Sequence, residues 1–267
     1  MTRSLPYWHV DAFADRPFAG NQAAVMPLDA WLPGEMLQAI AEENKFAETA
    51  FAVPDASGEA DWELRWFTPA CEIRLCGHAT LASGHVLLER DGGGRVTFRT
   101  REAGILEVRR LAAGGYELAL PAIPTAPGEW PEAAALLGAT PREVWRSADR
   151  YSVFLLESEA EVRGLEPDFK GLAALGDDQF ICTAPGLATD VVSRVFVPGA
   201  GVDEDSVTGS AHAVLTPFWS ARLGRDSFTA HQASARGGDL ACRLDGAQVW
   251  LGGQCVTVVE GRFYLSG

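Results

Sequence analysis

Apolar residues in this chain fall mostly into short, partly alternating runs that end on glycine, proline or aspartate, a pattern that predicts many strands and few helices. "RVTFRTREAGILEVRR" followed by "GGYELALP", and "SFTAHQASARGGDLACRL" followed by "DGAQVWLGG", read as strands joined through hairpin turns. Helical spacing is confined to a few segments. "LPGEMLQAIAEEN" (Leu32 to Asn44) has Pro33 near its first turn, while "HATLASGHVLLER" and "SAHAVLTPFWSARLG" begin with small residues that permit close packing. A weaker helix is expected around Pro167 to Leu175.

These elements occur twice in the same order. "RWFTP" (Arg65 to Pro69) leads to Gly77-His78-Ala79, and "RVFVP" (Arg194 to Pro198) leads to Gly209-Ser210-Ala211; each is followed by a helix and then by a strand pair. The chain is therefore predicted to be α+β and duplicated, with two similar domains over residues 1–122 and 123–267. The proline-rich "LPAIPTAPGEWP" (Leu120 to Pro131) is the natural linker, because proline restricts the backbone and removes ladder donors. If the halves pack about a pseudo-twofold axis, the two glycine turns face each other across an interdomain cleft, the usual place for a ligand.

Composition narrows the function. A length of 267 residues with 47% hydrophobic content supports a sizeable core, so disorder is not expected. The net charge of -14 repels polyanions and makes nucleic acid an improbable partner. No apolar run reaches the roughly 18 residues that a membrane span needs, and the start "MTRSLPYWHVDAF" lacks a signal pattern, so a cytoplasmic protein is expected. Five cysteines without a CxxC, and five scattered histidines without an HExxH, point to reduced thiols and to no metal.

The chemistry is expected at the two turns. Glycine lets the backbone approach a ligand closely, and the free N–H groups of a helix start carry partial positive charge, so Gly77 and Gly209 suit an anionic small molecule. Proton-transfer candidates lie nearby: Glu48 in "NKFAETAF", Cys76 and His78 in "RLCGHAT", and Asp205 and Ser210 in "DEDSVTGS". A carboxylate packed between Phe46 and Phe51 would be desolvated, which makes it a better proton acceptor. Each candidate also has an ordinary reading. Glu48 and Asp205 suit helix or loop caps, Ser210 a cap, His78 a helix-start hydrogen bonder, and Cys76 a buried thiol.

Five segments, "VDAFADRPFAGNQAAV", "NKFAETAF", "WFTPACEIRLCGHAT", "DEDSVTGSAHAVLTPFW" and "HQASARGG", together resemble the phenazine-biosynthesis PhzF-like proteins, in family order from Val10 to Gly238. The resemblance implies the diaminopimelate epimerase-like fold: two similar domains, each a mixed, mostly antiparallel sheet around a central helix. It implies an isomerase without metal or organic cofactor, in which one glutamate moves a proton along a ring. By motif that glutamate is Glu48, with His78, Asp205 and Ser210 as polar companions. Substrate would be held by Asn21, Cys76, Gly77, Gly209 and Gln232.

Alternatives stay open at this level. Diaminopimelate epimerase uses two opposed cysteines; Cys76 matches the first, but "SVTGS" has no thiol, so a racemase or epimerase would pair Cys76 with Glu48 or Asp205. A third reading is a metabolite-binding module without turnover. Gln22 and Ser206 stand where the family pattern has proline, and Ala47 where it has serine, which frees the backbone before the second turn and removes a hydroxyl from the site; the family is far wider than phenazine makers, so a substrate other than the phenazine one is expected. An exposed sheet edge in such a fold would support a homodimer.

Overall fold

A computed structural model describes residues 3–265 and divides into two compact units, Met1–Leu120 with Gly252–Gly267, and Pro121–Leu251. In the first unit the elements run β1 (Arg3–Ala12), β2 (Asn21–Pro27), α1 (Gly34–Asn44), β3 (Glu48–Pro54), β4 (Trp62–Phe67), β5 (Glu72–Ile73), α2 (Gly77–Asp91), β6 (Arg95–Arg99), β7 (Ile105–Arg110) and β8 (Tyr116–Pro121). Most neighbours are antiparallel; β2–β3 and β4–β6 are parallel, because a helix intervenes in each connection.

Strand alternation sorts the side chains onto two faces. On one face Met26, Phe51 and Phe67 pack with Leu37, Ile40 and Ala41 of α1. The other face receives α2, which is buried from Gly77 through Leu88. A helix buried all round needs small residues where it meets the sheet, and "ATLASG" supplies them. Gly84 marks the tightest approach: a Cβ there would lie 2.3 Å from Val108 Cγ1.

The second unit repeats this plan. Its elements are β9 (Ala126–Gly128), α3 (Pro131–Leu136), β10 (Glu143–Arg146), β11 (Tyr151–Leu155), α4 (Glu159–Arg163), α5 (Phe169–Ala174), β12 (Gln179–Pro185), β13 (Val191–Val197), β14 (Val202–Asp205), α6 (Gly209–Leu223), β15 (Ser227–Gln232), β16 (Gly238–Asp245) and β17 (Gln248–Gly253). Here β11–β12 and β13–β15 are the parallel pairs, matching β2–β3 and β4–β6. The matched registers are Thr49↔Phe67 in the first unit and Phe180↔Phe196 in the second. Helices α2 and α6 each have 15 residues and each begin on the glycine of their turn.

Two expectations about the chain's division are corrected. The final strand, β18 (Cys255–Leu265), pairs antiparallel with β1, so it belongs with the first unit rather than with a second domain running 123–267. In the second unit the same edge is closed by β9, which pairs with β10. The pattern of a terminal strand says that it will pair, but not which sheet edge it will close. The proline-rich segment is likewise not a free linker. Ala122 N donates to Ala247 O, and Ile123 N donates to Ala213 O at 3.1 Å. Ala213 O is available because Pro217, four residues on inside α6, has no N–H to give it.

Candidate active site

Glu48 is the first residue of β3, opposite Ala23 in the register with β2, and two positions from Asn21 at the start of β2. Residues 21, 23 and 48 share the face that receives α2, whose N-cap is Cys76 and whose second residue is His78. The expected setting of Glu48 between two phenylalanines is therefore corrected. Glu48 and Phe51 are three apart in one strand and point to opposite faces, while Phe46 stacks on His9 with ring centroids 4.3 Å apart.

What surrounds Glu48 instead is polar and specific. His78 Nε2 lies 3.0 Å from Glu48 Oε2, although the residues are 30 positions apart in the chain. On the other edge of the ring, His78 Nδ1 is 3.1 Å from Asn21 Nδ2 and 3.5 Å from Cys76 Sγ. The Glu48–His78 approach is at hydrogen-bond distance but outside hydrogen-bond direction, an ion-pair contact between two buried atoms. His78 is 4% exposed and Glu48 15%, so the carboxylate retains the open side.

Asn21 constrains the proton positions. An amide nitrogen only donates, so Nδ2 against the ring would go with a neutral imidazole bare at Nδ1 and protonated on Nε2. Turning the amide over presents its oxygen to a protonated Nδ1, so Asn21 can serve both charge states of His78. Burial opposes the imidazolium, but the Cys76 sulfur and the Glu48 carboxylate beside the ring prevail, and the His78 pKa is held well above 6.5. Burial, with Glu48 adding to it, pushes the Cys76 thiol up to about 11, against the pull of His78. Cys76 is thus a neutral thiol near pH 7.

A pH dependence follows. Because the folded value of His78 is raised, its contribution to stability is fully present below about 6.5, the ordinary histidine value, and is lost as pH rises through the folded value. The urea midpoint is expected to fall from pH 6.5 upward, and Glu48→Gln, which removes the anion, is expected to flatten that fall. A midpoint equally pH-dependent in both proteins would contradict the assignment.

Glu48, Cys76 and His78 offer three metal-ligand atoms within 4.8 Å of one another, the one such set among the described residues. A metal held there would have to displace the protons of the thiol and the imidazolium.

The remaining expected residues gather at the start of α6 in the second unit. Thr208 is its N-cap, Gly209 its first residue and Ser210 its second. Thr208 Oγ1 donates to Asp205 Oδ2 at 2.6 Å. Gln232 is fully buried and its amide serves the turn itself: Oε1 accepts from Thr208 N at 2.8 Å, and Nε2 donates to Asp205 O at 2.7 Å and to Thr208 Oγ1. It holds the loop in shape. The two helix starts are also tied alike, with Thr80 Oγ1 bonding Cys76 O at 2.5 Å and His212 Nδ1 bonding Thr208 O at 2.9 Å.

Superposing the registers shows what the duplication did not copy. Gln179, first in β12, stands where Glu48 stands in β3, and Ser210 stands where His78 does. At these matched places the carboxylate and imidazole occur together in the first unit alone. Sequence reasoning did not single out Gln179 or Thr208; the repeated "RWF" and "RVF" stretches were the available signal, read forward from each phenylalanine.

Comparison with known proteins places the chain as a whole. The family described as phenazine biosynthesis-like protein (PhzC-PhzF) matches residues 10–261. An uncharacterized isomerase of Pseudomonas aeruginosa is 50% identical over 265 residues, covering 98% of this chain and 99% of that one. A PhzF-family protein of Enterococcus faecalis is similar in structure, with TM-score 0.91 and 41% identity over 98% of this chain and all (100%) of the other. A hydroxyproline epimerase from Agrobacterium vitis matches with TM-score 0.61 and 13% identity over 98% of this chain and 93% of that one, a likeness of fold alone. The fold is the diaminopimelate epimerase-like one. Among the described residues no helix is long and apolar enough to cross a membrane.

Proposed function

This chain belongs to the phenazine biosynthesis-like (PhzC-PhzF) family and is an isomerase, and from that premise we propose that it moves a carbon-bound proton on a small anionic metabolite, amino-acid-like or cyclic, with Glu48 as the base. The observation that carries this reading is the pairing of Glu48 with His78 at 3.0 Å in one unit, against Gln179 and Ser210 at the same places in the other. A single base suits removal of a proton from one carbon and its return to another. Two opposed groups would suit inversion at one carbon.

In the proposed reaction the Glu48 carboxylate takes the C–H proton and the electron pair of that bond spreads into the adjoining unsaturated system. His78, held cationic, stabilises the negative charge that develops. Glu48 then delivers its proton to the far carbon, restoring the carboxylate. Asn21 orients the imidazole, and the N–H groups of the Gly77 turn offer donors to a substrate anion. For Asp205, Ser210 and the Gly209 turn the proposal keeps the substrate-contacting part that the resemblance implies, with Gln232 holding their loop.

The test is a screen of small carboxylates by thermal shift, followed by incubation of each hit in D2O. Shifted unsaturation by NMR is the expected result, with part of the substrate's own hydrogen retained. Binding with neither product nor deuterium uptake would mean a metabolite-binding module, and one solvent deuterium per turnover at a single inverted carbon would mean a racemase. Cys76 separates the last case independently. A thiol held at about 11 is a poor base near neutrality, so Cys76→Ala is expected to keep the rate within about 10-fold, where loss of a general base costs about 10²-fold or more.

A further inference from the structure

The strand leading to each glycine turn carries an arginine, and both arginines are used in the same way. Arg65 donates from Nε and Nη2 to the two oxygens of Glu72, both at 2.7 Å. Arg194 does the same to Glu204, at 2.7 and 2.9 Å. Each guanidinium lies over the phenylalanine two positions on, 5.0 Å from the centroid of Phe67 and 4.9 Å from that of Phe196. The strand registers agree as well. Trp66 pairs with Ile73 and Val195 with Asp205, so each glutamate immediately precedes the matched partner.

The spacings show what the repeated arrangement preserves. Arginine and glutamate are seven positions apart in the first unit and ten in the second, where the turn Pro198–Ala200 lengthens the loop. From glutamate to the polar residue after the glycine the distance is six in both, Glu72 to His78 and Glu204 to Ser210. A partly buried ion pair is weak support for stability, because desolvation offsets most of its attraction; fixing a register is its better-attested use. A bidentate fork suits that use, since it holds both carboxylate oxygens and so the direction of the side chain.

We propose that Arg65–Glu72 and Arg194–Glu204 are duplicated positioning forks, each pinning the root of the six-residue segment that presents the glycine turn and the first residues of its central helix. In the first unit the fork lies on the α1 face with Phe67 and Trp31, and the segment passes round the sheet edge to bring Cys76 and His78 onto the other face. Arg101 Nη1 adds a third bond to Glu72 at 2.9 Å. In the second unit Arg194 Nη1 bonds Leu165 O at 2.9 Å, tying the fork to the residues after α4. The forks act through the turns and have no part in proton transfer themselves.

His78 and His212 report on the two turns separately, because each ring is bonded to an atom of its own turn. In protein labelled with 15N-histidine, Glu72→Gln is expected to displace the ring resonances of His78 and leave those of His212 in place, and Glu204→Gln to do the reverse, with cooperative unfolding retained in both. A variant that lowers the unfolding midpoint but leaves its own histidine unmoved overturns the proposal, as does one that moves both histidines equally. Should Glu72→Gln not fold, Glu72→Asp keeps the charge while shortening the arm, and the same displacement of His78 is required of it. The ring readout needs no turnover; only the catalytic consequence, a fall in kcat with little change in KM for Glu72→Gln, rests on the reading of Glu48 as the base. A displaced His78 with kcat unchanged would leave the fork standing and count against Glu48–His78 as the proton-transfer pair.

Discussion

Glu48→Gln is expected to lower proton transfer by about 10³-fold, equivalent to about 4 kcal/mol of barrier, while the fold and ligand binding persist. Glutamine keeps the volume and one acceptor oxygen but cannot take a proton near neutrality. The equivalent place in the second unit already holds Gln179 at the start of its strand, so the backbone accepts that side chain. Binding of the screened ligand by thermal shift should remain measurable, and the deuterium signal should vanish. A variant that still exchanges at the parent rate would remove Glu48 from the mechanism and leave Asp205 as the carboxylate to examine.

His78→Gln should do two things that Glu48→Gln does not combine. The rate should fall by about 10²-fold, because the donor facing the developing charge is lost from a covered site. Stability should fall by about 3 kcal/mol at pH 7, since removing one member of a buried pair leaves the other charge without its counter-ion. The double variant Glu48→Gln/His78→Gln is then expected to be more stable than His78→Gln alone, as no charge is left stranded. Urea unfolding of the four proteins measures this directly. Additive losses would mean that the 3.0 Å approach carries no coupling.

The physical basis of both predictions is a contact between a strand and a helix start that are remote in the chain. Motif reasoning reached Glu48 and His78 separately, and the resemblance placed them in one family site, but neither gave the identity of the partner atoms. Asn21 was expected, by the resemblance, to hold substrate; its amide against His78 Nδ1 comes from the pairing of β2 with β3. Cys76 stood among the proton-transfer candidates beside a histidine. Full burial and the neighbouring Glu48 make it a neutral thiol instead.

What the sequence by itself determined is whatever repeats locally. The strand and helix periods, the two glycine turns, the small residues that let α2 and α6 be buried, and the duplication are all written in residues near one another, and the structure follows them. Tertiary structure decided what depends on which face or edge a residue meets. Alternation in β3 sends Glu48 toward α2 and Phe51 toward α1, against the reading of one apolar pocket. Closure of the first sheet by β18 assigns the last residues to the first unit, and Pro217 leaves a carbonyl for Ile123 that no local pattern announces. A side-chain period is a property of a few consecutive bonds, while a partner is a property of the whole path of the chain, and so Glu48 and His78 become a pair only once the sheet and its central helix are in place.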